Sequence, residues 1–502
     1  MMTPREAELT RQLEAAVSAL EATRRENELL RQKIDVLVRR VFGSSSEQLP
    51  ANQLELLLVP AELQTQRPEP VSPPAPPAKN APARRARRER IPDHLPVVEE
   101  VLEPEPVRAD PTQWRRIGEE VSEQLDFEPG RFFRRRLVRP RYVRKLDQDA
   151  APVIATLPPR LQERGLPAAG LLAHVLVSKY CDHLPLYRQE LIFRRRHGVE
   201  LPRQTLARWV ELAADWLKPI YAQIRTGVMA GGYVQIDETP IEYLDPGRGR
   251  TGQGYLWTCA KPGGDVLFHW ETSRGAECLG KVLPVDFTGT LQCDGYSAYV
   301  TYARHHPHPV TLAACWAHAR RKFHDARNEE PKITGWFLHQ IQLLYQVEAR
   351  LREQSAGPKL RAAVRAAHSR MIVTRIRRAL ERLRSGRLPK SLLGQAIAYT
   401  LGQWTGLEIF LTDGRVEIDN NTVENAIRPT AIGKKNWLFV GEAGAGERSA
   451  VIYTIIESCR RRGLDPLAYL RDVLDRLPSM TNHQIPSLTP EAWHSALLQR
   501  AA

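Results

Sequence analysis

Mostly apolar residues recur every seven positions at the start of the chain. Leu13, Leu20, Asn27, Ile34 and Val41 form one series, and Leu9, Ala16, Thr23, Leu30 and Leu37 the other. Two such series make a coiled-coil seam, and a lone Asn at an a position sets register by seeking its partner's amide. The pattern predicts a dimerising coiled-coil helix over residues 1–43, closed at Gly43. A single amphipathic helix lying on its own domain is the plainer reading of the same stripe. Residues 44–96 include "RPEPVSPPAPPAKNAPARRARRER" (67–90), which cannot build a packed core and reads as a Pro/Arg-rich linker. Over 97–150 the period shortens to two. "RFFRRRLVRPRYVRK" (131–145) interleaves eight basic residues with Phe132, Phe133, Leu137, Val138 and Tyr142. That alternation predicts a small basic β-rich module with aromatics on one face and arginines on the other.

The pattern turns helical over 151–228. "PLYRQELIFRRRHG" ends at Gly198, and "PRQTLARWVELAADWL" opens with Pro202 at the first helical position. Helix, glycine turn and helix predict a helix-turn-helix-like unit whose second helix offers Arg203, Gln204 and Arg208 to a DNA groove; helical bundles imitate this shape. From "GGYVQIDETPIEYL" (231–244) the chain alternates as a strand, with Val234 and Ile236 on one face and Gln235 and Asp237 on the other. "GQGYLWTCAK" and "DVLFHWETS" read as strands, "AECLGKVL" as a helix, and "GTLQCDGYSAY" (289–299) as a strand ending at Asp294. "PVTLAACW" is a further strand, running into the basic helix "AHARRKFHDAR".

Three strands, a helix, a strand, a helix and a strand is the order of a ribonuclease-H-like fold. In it the first and fourth strands are neighbours, so Asp237 and Asp294 meet at the sheet centre. Helical stripes follow: Phe337, Ile341, Leu344, Val347 and Leu351, then Ile376, Leu380 and Leu383, then Leu393, Ile397, Leu401 and Trp404. They predict an all-helical insertion at about 327–415 inside a catalytic core spanning 229–460, with a helical tail over 461–502. The fold class is therefore multidomain α+β.

Composition narrows the partners. With 72 Lys+Arg against 58 Asp+Glu the chain carries 14 surplus positive charges, which points to a polyanion and first to nucleic acid. Ribosomal, RNA-binding and membrane-surface proteins share that bias. No run of eighteen apolar residues suits a bilayer, and no signal peptide is visible. The six cysteines form no CxxC pair, so a reducing cytosol and no zinc are expected.

Against this basic background, Asp237, Asp294 and Glu424 stand out. Two adjacent carboxylates repel unless a cation sits between them, and hard ions such as Mg²⁺ take oxygen ligands. A third acid lets two ions clamp a phosphodiester in line. "DNNTVENAIRP" (419–429) also reads as a capping box, with Asn421 as N-cap and Glu424 reaching back. Pro429 would limit that helix to about two turns or kink it. Arg428, one turn on, lies where it can orient the Glu424 carboxylate or hold a phosphate.

"QIDET", "CDGYSAY", "CWAHARRKF", "DNNTVENAIRP…GKKNWLF", "KYCDHLPLYRQE", "IGEEVSEQLDFEPGRF" and "VFGSSSEQL" together resemble the transposases of the insertion-sequence-66 family. The likeness runs in one order from about residue 36 to 476. It implies a DDE-type recombinase that cleaves transposon ends and transfers the 3′ ends into target DNA. Asp237, Asp294 and Glu424 match its acidic triad and its Mg²⁺ site, with Mn²⁺ an alternative. The family often carries a cysteine zinc module before "RPRY", whereas the first cysteine here is Cys181. Candidate DNA contacts in the core are Arg320, Arg321, Lys322, Arg428, Lys434 and Lys435; a solvated basic face is their plainer reading. Expected partners are DNA, a second copy through the coiled coil, and small accessory proteins of the same element. The expected place is the bacterial cytoplasm, at the nucleoid. A DNA-end-binding regulator that does not cut, or a structure-specific nuclease without strand transfer, are the alternatives.

Overall fold

Why these segments pair as they do is visible in the central strand of the computed structural model. The structure describes residues 130–133, 141–142, 153–154, 158–163, 165–245 and 249–501. The predicted coiled coil, the linker and most of the basic β module lie outside them, apart from a two-residue antiparallel pairing of Arg141–Tyr142 with Val153–Ile154. Strand β1 (Tyr233–Leu244) alternates Val234 and Ile236 with Gln235 and Asp237, and it has neighbours on both sides. It pairs antiparallel with β2 (Thr251–Ala260), which pairs antiparallel with β3 (Val266–Glu271). On its other side it pairs parallel with β4 (Gly289–Gln292), which pairs parallel with β5 (Val310–Ala313). The order is β3-β2-β1-β4-β5, and β6 (Phe439–Glu442) adds a short parallel pairing beyond β1's midpoint. The first and fourth strands are side by side, as the motif order predicts.

The fold is mixed α/β with a helical majority and a mixed sheet. Helices α1 (Ala169–Tyr180), α2 (Leu186–His197) and α3 (Arg203–Met229) precede the sheet. Helix α2 ends at Gly198 in the left-handed conformation (φ 61). Pro202 stands at the N-cap of α3, one residue before the expected place. Helix α3 buries Leu206, Ala213, Leu217, Ile220 and Ile224 in the same cluster as Val234, Phe268 and Leu488. The segment read as helix-turn-helix-like thus shares one continuous core with the sheet. The C-terminal segment is helical, as expected, and packs into the same core, with Tyr469, Leu470 and Val473 fully buried. Phe132 packs edge-on to Phe193 at 5.1 Å, while Phe133 is 78% exposed. The two phenylalanines therefore do not share a face, because adjacent residues of an extended chain point oppositely.

Between strands lie α4 (Ala276–Val282) and α5 (Ser297–His305), and α6 (Trp316–Asp325) follows β5. Then come α7 (Pro331–Glu353), α8 (Pro358–Val364), a π turn, α9 (Arg370–Arg384), α10 (Leu392–Gly402) and α11 (Trp404–Thr412). The predicted stripes become a second buried cluster around Phe337, Ile341, Leu344, Ile376, Leu380, Leu393 and Ile397. Trp404 opens α11 rather than extending the previous stripe. The guanidinium of Arg365, fully buried, ties this cluster together. It donates to both oxygens of Glu348 at 2.7 Å and to the carbonyls of Phe410 and Val416. Helix α12 (Asn421–Trp437) returns the chain to the sheet, followed by α13 (Ala443–Arg461), α14 (Pro466–Arg476) and α15 (Pro490–Ala501). The edge strand β3 is covered by α13. Thr454 and Ser458 accept the backbone N–H groups of Phe268 and Val266, and Gly446 lets the helix backbone approach Trp270 where a Cβ would clash. Among the described residues, no helix is long and apolar enough to cross a membrane.

Candidate active site

Register brings the first two acids together. Gln235 on β1 stands directly opposite Gln292 on β4. Strand periodicity places Asp237 on the face of Gln235, and Asp294 lies two residues beyond Gln292, just past the strand end. Gly295, at φ 89, turns the chain there; a Cβ would also collide with Gln403. Each acid is held by the backbone that follows it. Asp237 Oδ1 accepts the Glu238 N–H at 3.0 Å, and Asp294 Oδ1 accepts the Tyr296 N–H at 2.9 Å. Burial first, then the charges of Glu238, Asp294 and Glu424, push the Asp237 carboxyl up to about 8. The next acid in the motif is already spoken for. Glu238 is buried, bonded by Arg274 Nε at 2.6 Å and by the Tyr299 hydroxyl. The Arg274 guanidinium also lies 3.9 Å over the Tyr296 ring, so this pair buttresses the loop of Asp294.

The third acid arrives on α12, and two glutamines set its place. Gln235 Nε2 donates to the Asp419 carbonyl at 2.8 Å, and its Oε1 accepts the Val423 N–H at 3.3 Å. Gln292 Nε2 donates to the Glu417 carbonyl at 2.8 Å. Tyr233 closes the belt: its hydroxyl donates to Gln292 Oε1 at 2.7 Å and accepts the Glu417 N–H. The segment 417–423, ending one residue before Glu424, is thereby stitched to the strands that carry the aspartates. Periodicity puts Gln235 on the face of Asp237 but does not reveal the grip of the two glutamines on 417–423; their signal in the sequence is an amide two residues before each aspartate.

The start of α12 corrects the capping-box reading. The N-cap is Asn420, with no side-chain cap bond, and Asn421 instead bonds Asp419 through its backbone and side-chain nitrogens. Glu424 does not reach back: its Oε1 is buried without a hydrogen-bond partner. Pro429 does not end the helix, which runs on to Trp437. Tertiary packing overrides the proline, since Pro429 and its neighbours Ile427 and Thr430 are buried. Arg428 is exposed and, among the described residues, forms no ion pair with Glu424. The residue that faces Glu424 is His318, with Nε2 3.7 Å from Oε1. Burial lowers the His318 pKa, against the opposing pull of Glu424. Donor atoms of Cys315, His318 and Glu424 all lie within 4.8 Å of one another. The signal of this group in the sequence is the C-x₂-H spacing of "CWAH", which is not a CxxC pair.

The basic candidates divide. Arg320, Arg321 and Lys322 are exposed on α6, the helix of His318, and Lys322 lies over the Tyr399 ring at 5.6 Å. Arg428 and Lys435 are exposed on α12, the helix of Glu424. Lys434 donates to the Pro240 carbonyl at 3.1 Å, and burial followed by Lys435 lowers its pKa. Arg203, Gln204 and Arg208 are exposed on the first turns of α3. The raised Asp237 carboxyl and the orphaned Glu424 oxygen mark a site short of positive charge. Carboxylate oxygens suit a hard divalent cation, yet among the described residues the donor atoms grouped with Glu424's within 4.8 Å of one another are those of Cys315 and His318, not of the two aspartates.

Comparison with known proteins agrees with the motif order. Residues 164–448 match the family model described as Transposase IS66 family, and residues 454–501 match IS66 C-terminal element. Residues 29–99 match Transposase C of IS166 homeodomain. Two relatives come from Sinorhizobium fredii (strain NBRC 101917 / NGR234). The uncharacterized protein y4jD is 38% identical over 435 residues, covering 82% of this chain and 83% of that protein. The uncharacterized protein y4qI is 38% identical over 401 residues, covering 76% and 73%. With the first model covering more than half of its length, the chain belongs to the IS66 transposase family and is, by that kinship, a DNA-processing enzyme.

Proposed function

We propose that the chain is a DDE-type transposase with a ribonuclease-H-like core, in which Asp237, Asp294 and Glu424 form the catalytic acid cluster. One observation carries the reading. The opposed pair Gln235↔Gln292 sets two aspartates side by side, and the same two side chains grip the start of the glutamate's helix. Asp237, Asp294 and Glu424 would hold Mg²⁺ or Mn²⁺, which supplies neutralisation of charge at the scissile phosphodiester. The chain's own part is positioning. The sheet holds two carboxylates rigid, α12 brings the third, and Glu238 keeps the Asp294 loop in place through Arg274. The reaction is two successive phosphoryl transfers: water cleaves at a transposon end and leaves a 3′-hydroxyl, which then attacks a target-strand phosphodiester. Arg320, Arg321, Lys322, Arg428, Lys434 and Lys435 would hold DNA phosphates beside the acids, with Arg203, Gln204 and Arg208 on a separate DNA-facing surface. Pairing through residues 1–43 and a bacterial, nucleoid-bound life belong to the same reading, as do accessory proteins of the element.

The test is cleavage and strand transfer by purified protein with Mg²⁺ on transposon-end DNA, for wild type and Asp237→Asn. Loss of both reactions in the variant, with DNA binding kept, supports the assignment. Undiminished chemistry sinks it. Cleavage without joining by wild type favours the nuclease reading, and binding without either the regulator.

A further inference from the structure

We propose that Cys315, His318 and Glu424 form a binding site for a thiophilic divalent cation of the zinc class, which draws Glu424 away from the two aspartates. The three donor atoms already lie within 4.8 Å of one another. The 3.7 Å separation of His318 Nε2 and Glu424 Oε1 is too long for a hydrogen bond. It is close to the edge of about 3.3 Å between nitrogen and oxygen ligands of one tetrahedral zinc ion. Glu424 Oε1, the oxygen that faces His318 Nε2, is buried without a hydrogen-bond partner, and so is Nδ1 on the other side of the imidazole.

Cys315 is 1% exposed and immediately precedes α6, and burial, the largest influence, pushes its free thiol up to about 12. A bound soft cation takes the place of that proton, since a coordinating thiol is deprotonated. Asn420, fully buried beside Cys315, leaves both side-chain amide atoms unpartnered. On binding, the Cys315 proton leaves to solvent and a sulfur–metal bond replaces it. His318 coordinates as the neutral ring, and no electron is transferred.

Ligand chemistry separates the two ions. Oxygen donors suit magnesium, while a thiolate and an imidazole select zinc. Glu424 serves both sets, so a zinc-class ion opposes the hard cation. That consequence rests on the proposed role of Glu424, whereas the binding itself does not. The site is distinct from the cysteine module absent from the N-terminal region.

Cobalt(II) is the probe, titrated into the purified full-length chain. Wild type should show a thiolate-to-cobalt charge-transfer band saturating at one ion per chain and erased by one equivalent of Zn²⁺. The band should vanish in Cys315→Ala, and shift or weaken in His318→Ala and Glu424→Gln. It should persist in Asp237→Asn, which removes the proposed chemistry and leaves these ligands alone. Thermal melts guard against misfolding: Zn²⁺ should raise the Tm of wild type and not of Cys315→Ser. No thiolate band at saturating Co²⁺, or the same band in Cys315→Ala, overturns the site. A wild-type band without Zn²⁺ inhibition of Mg²⁺-supported cleavage overturns the sharing of Glu424. Should wild type cleave nothing, the proposed function fails and the cobalt spectrum still decides this inference.

Discussion

The sheet half and the helix half of the site are held by different forces. Asp237 and Asp294 stand at the C-terminal side of a parallel backbone ladder, where register alone makes them neighbours. Glu424 comes from a helix that follows a long excursion through α7–α11; Val423, Ala426 and Ile427 pack that helix into the core, and a few side-chain amides and one hydroxyl fix where it starts. A backbone ladder has many redundant bonds; a belt of three side chains has few. The sheet half is therefore the rigid reference, and the helix half the part that single substitutions can detach.

The largest effect is expected deep in the insertion. Arg365→Met takes both 2.7 Å bonds from buried Glu348, leaving it only Arg361 at 3.2 Å, and frees the carbonyls of Phe410 and Val416. The cost should be about 3–5 kcal/mol, read by denaturant unfolding. Hydrogen exchange should rise over 413–424 and stay low in β1 and β4; equal loosening of the strands would break the contrast.

Next comes the belt itself. Gln235→Leu leaves the Asp419 carbonyl without that partner, costing about 1–3 kcal/mol, while the Val423 N–H keeps the Asn420 carbonyl. Misplacing Glu424 by about 1 Å should lower cleavage roughly 100-fold with DNA binding kept. Gln292→Leu should do the same, because it frees the Glu417 carbonyl. Wild-type turnover in both would show that the ladder suffices for all three acids.

A smaller effect comes from pH. Asp237 is raised in the folded chain, so the neutral carboxyl is the stabilised form. Its contribution is complete below the unfolded pKa near 4 and is lost as pH rises through about 8. The charges of Glu238, Asp294 and Glu424 oppose that of Asp237, while Arg274 is engaged by Glu238. In chelator, the Tm of wild type should fall across that window more than the Tm of Asp237→Asn, and Mg²⁺ should shrink the difference. Parallel curves would place the repulsion elsewhere.

The smallest effect belongs to residues of neither half. Arg203→Ala and Arg208→Ala, both exposed, should alter stability by less than about 0.5 kcal/mol. Each should reduce the salt slope of DNA binding by about one. An unchanged slope would assign that face to solvent.

Much of the sheet half was legible beforehand. Val234 and Ile236 alternating with Gln235 and Asp237 is a period of two, and the succession of elements predicted the adjacency of β1 and β4. The stripes of the insertion were legible too, since Phe337, Ile341 and Leu344 recur at helical spacing and are all fully buried. The helix half was misread for reasons of range. Asn421 looked like a cap and Arg428 like the partner of Glu424 because local rules see only a few residues each way. Asp419 occupies the first, and the second is exposed, with His318 of α6 facing the glutamate instead. Pro429 looked like a terminator because propensity does not register the packing that keeps it helical.

Periodicity and motif order were enough to tell which segments would pair and which acids would be candidates, because a strand or helix writes its own repeat into neighbouring positions. The gathering of Gln235, Gln292, Cys315, His318 and Glu424 was not written that way. Those residues are separated by up to 189 positions, and their meeting depends on how the insertion folds back. Only three-dimensional packing could set a thiol and an imidazole beside the third acid, because chain distance carries no memory of spatial distance once loops close.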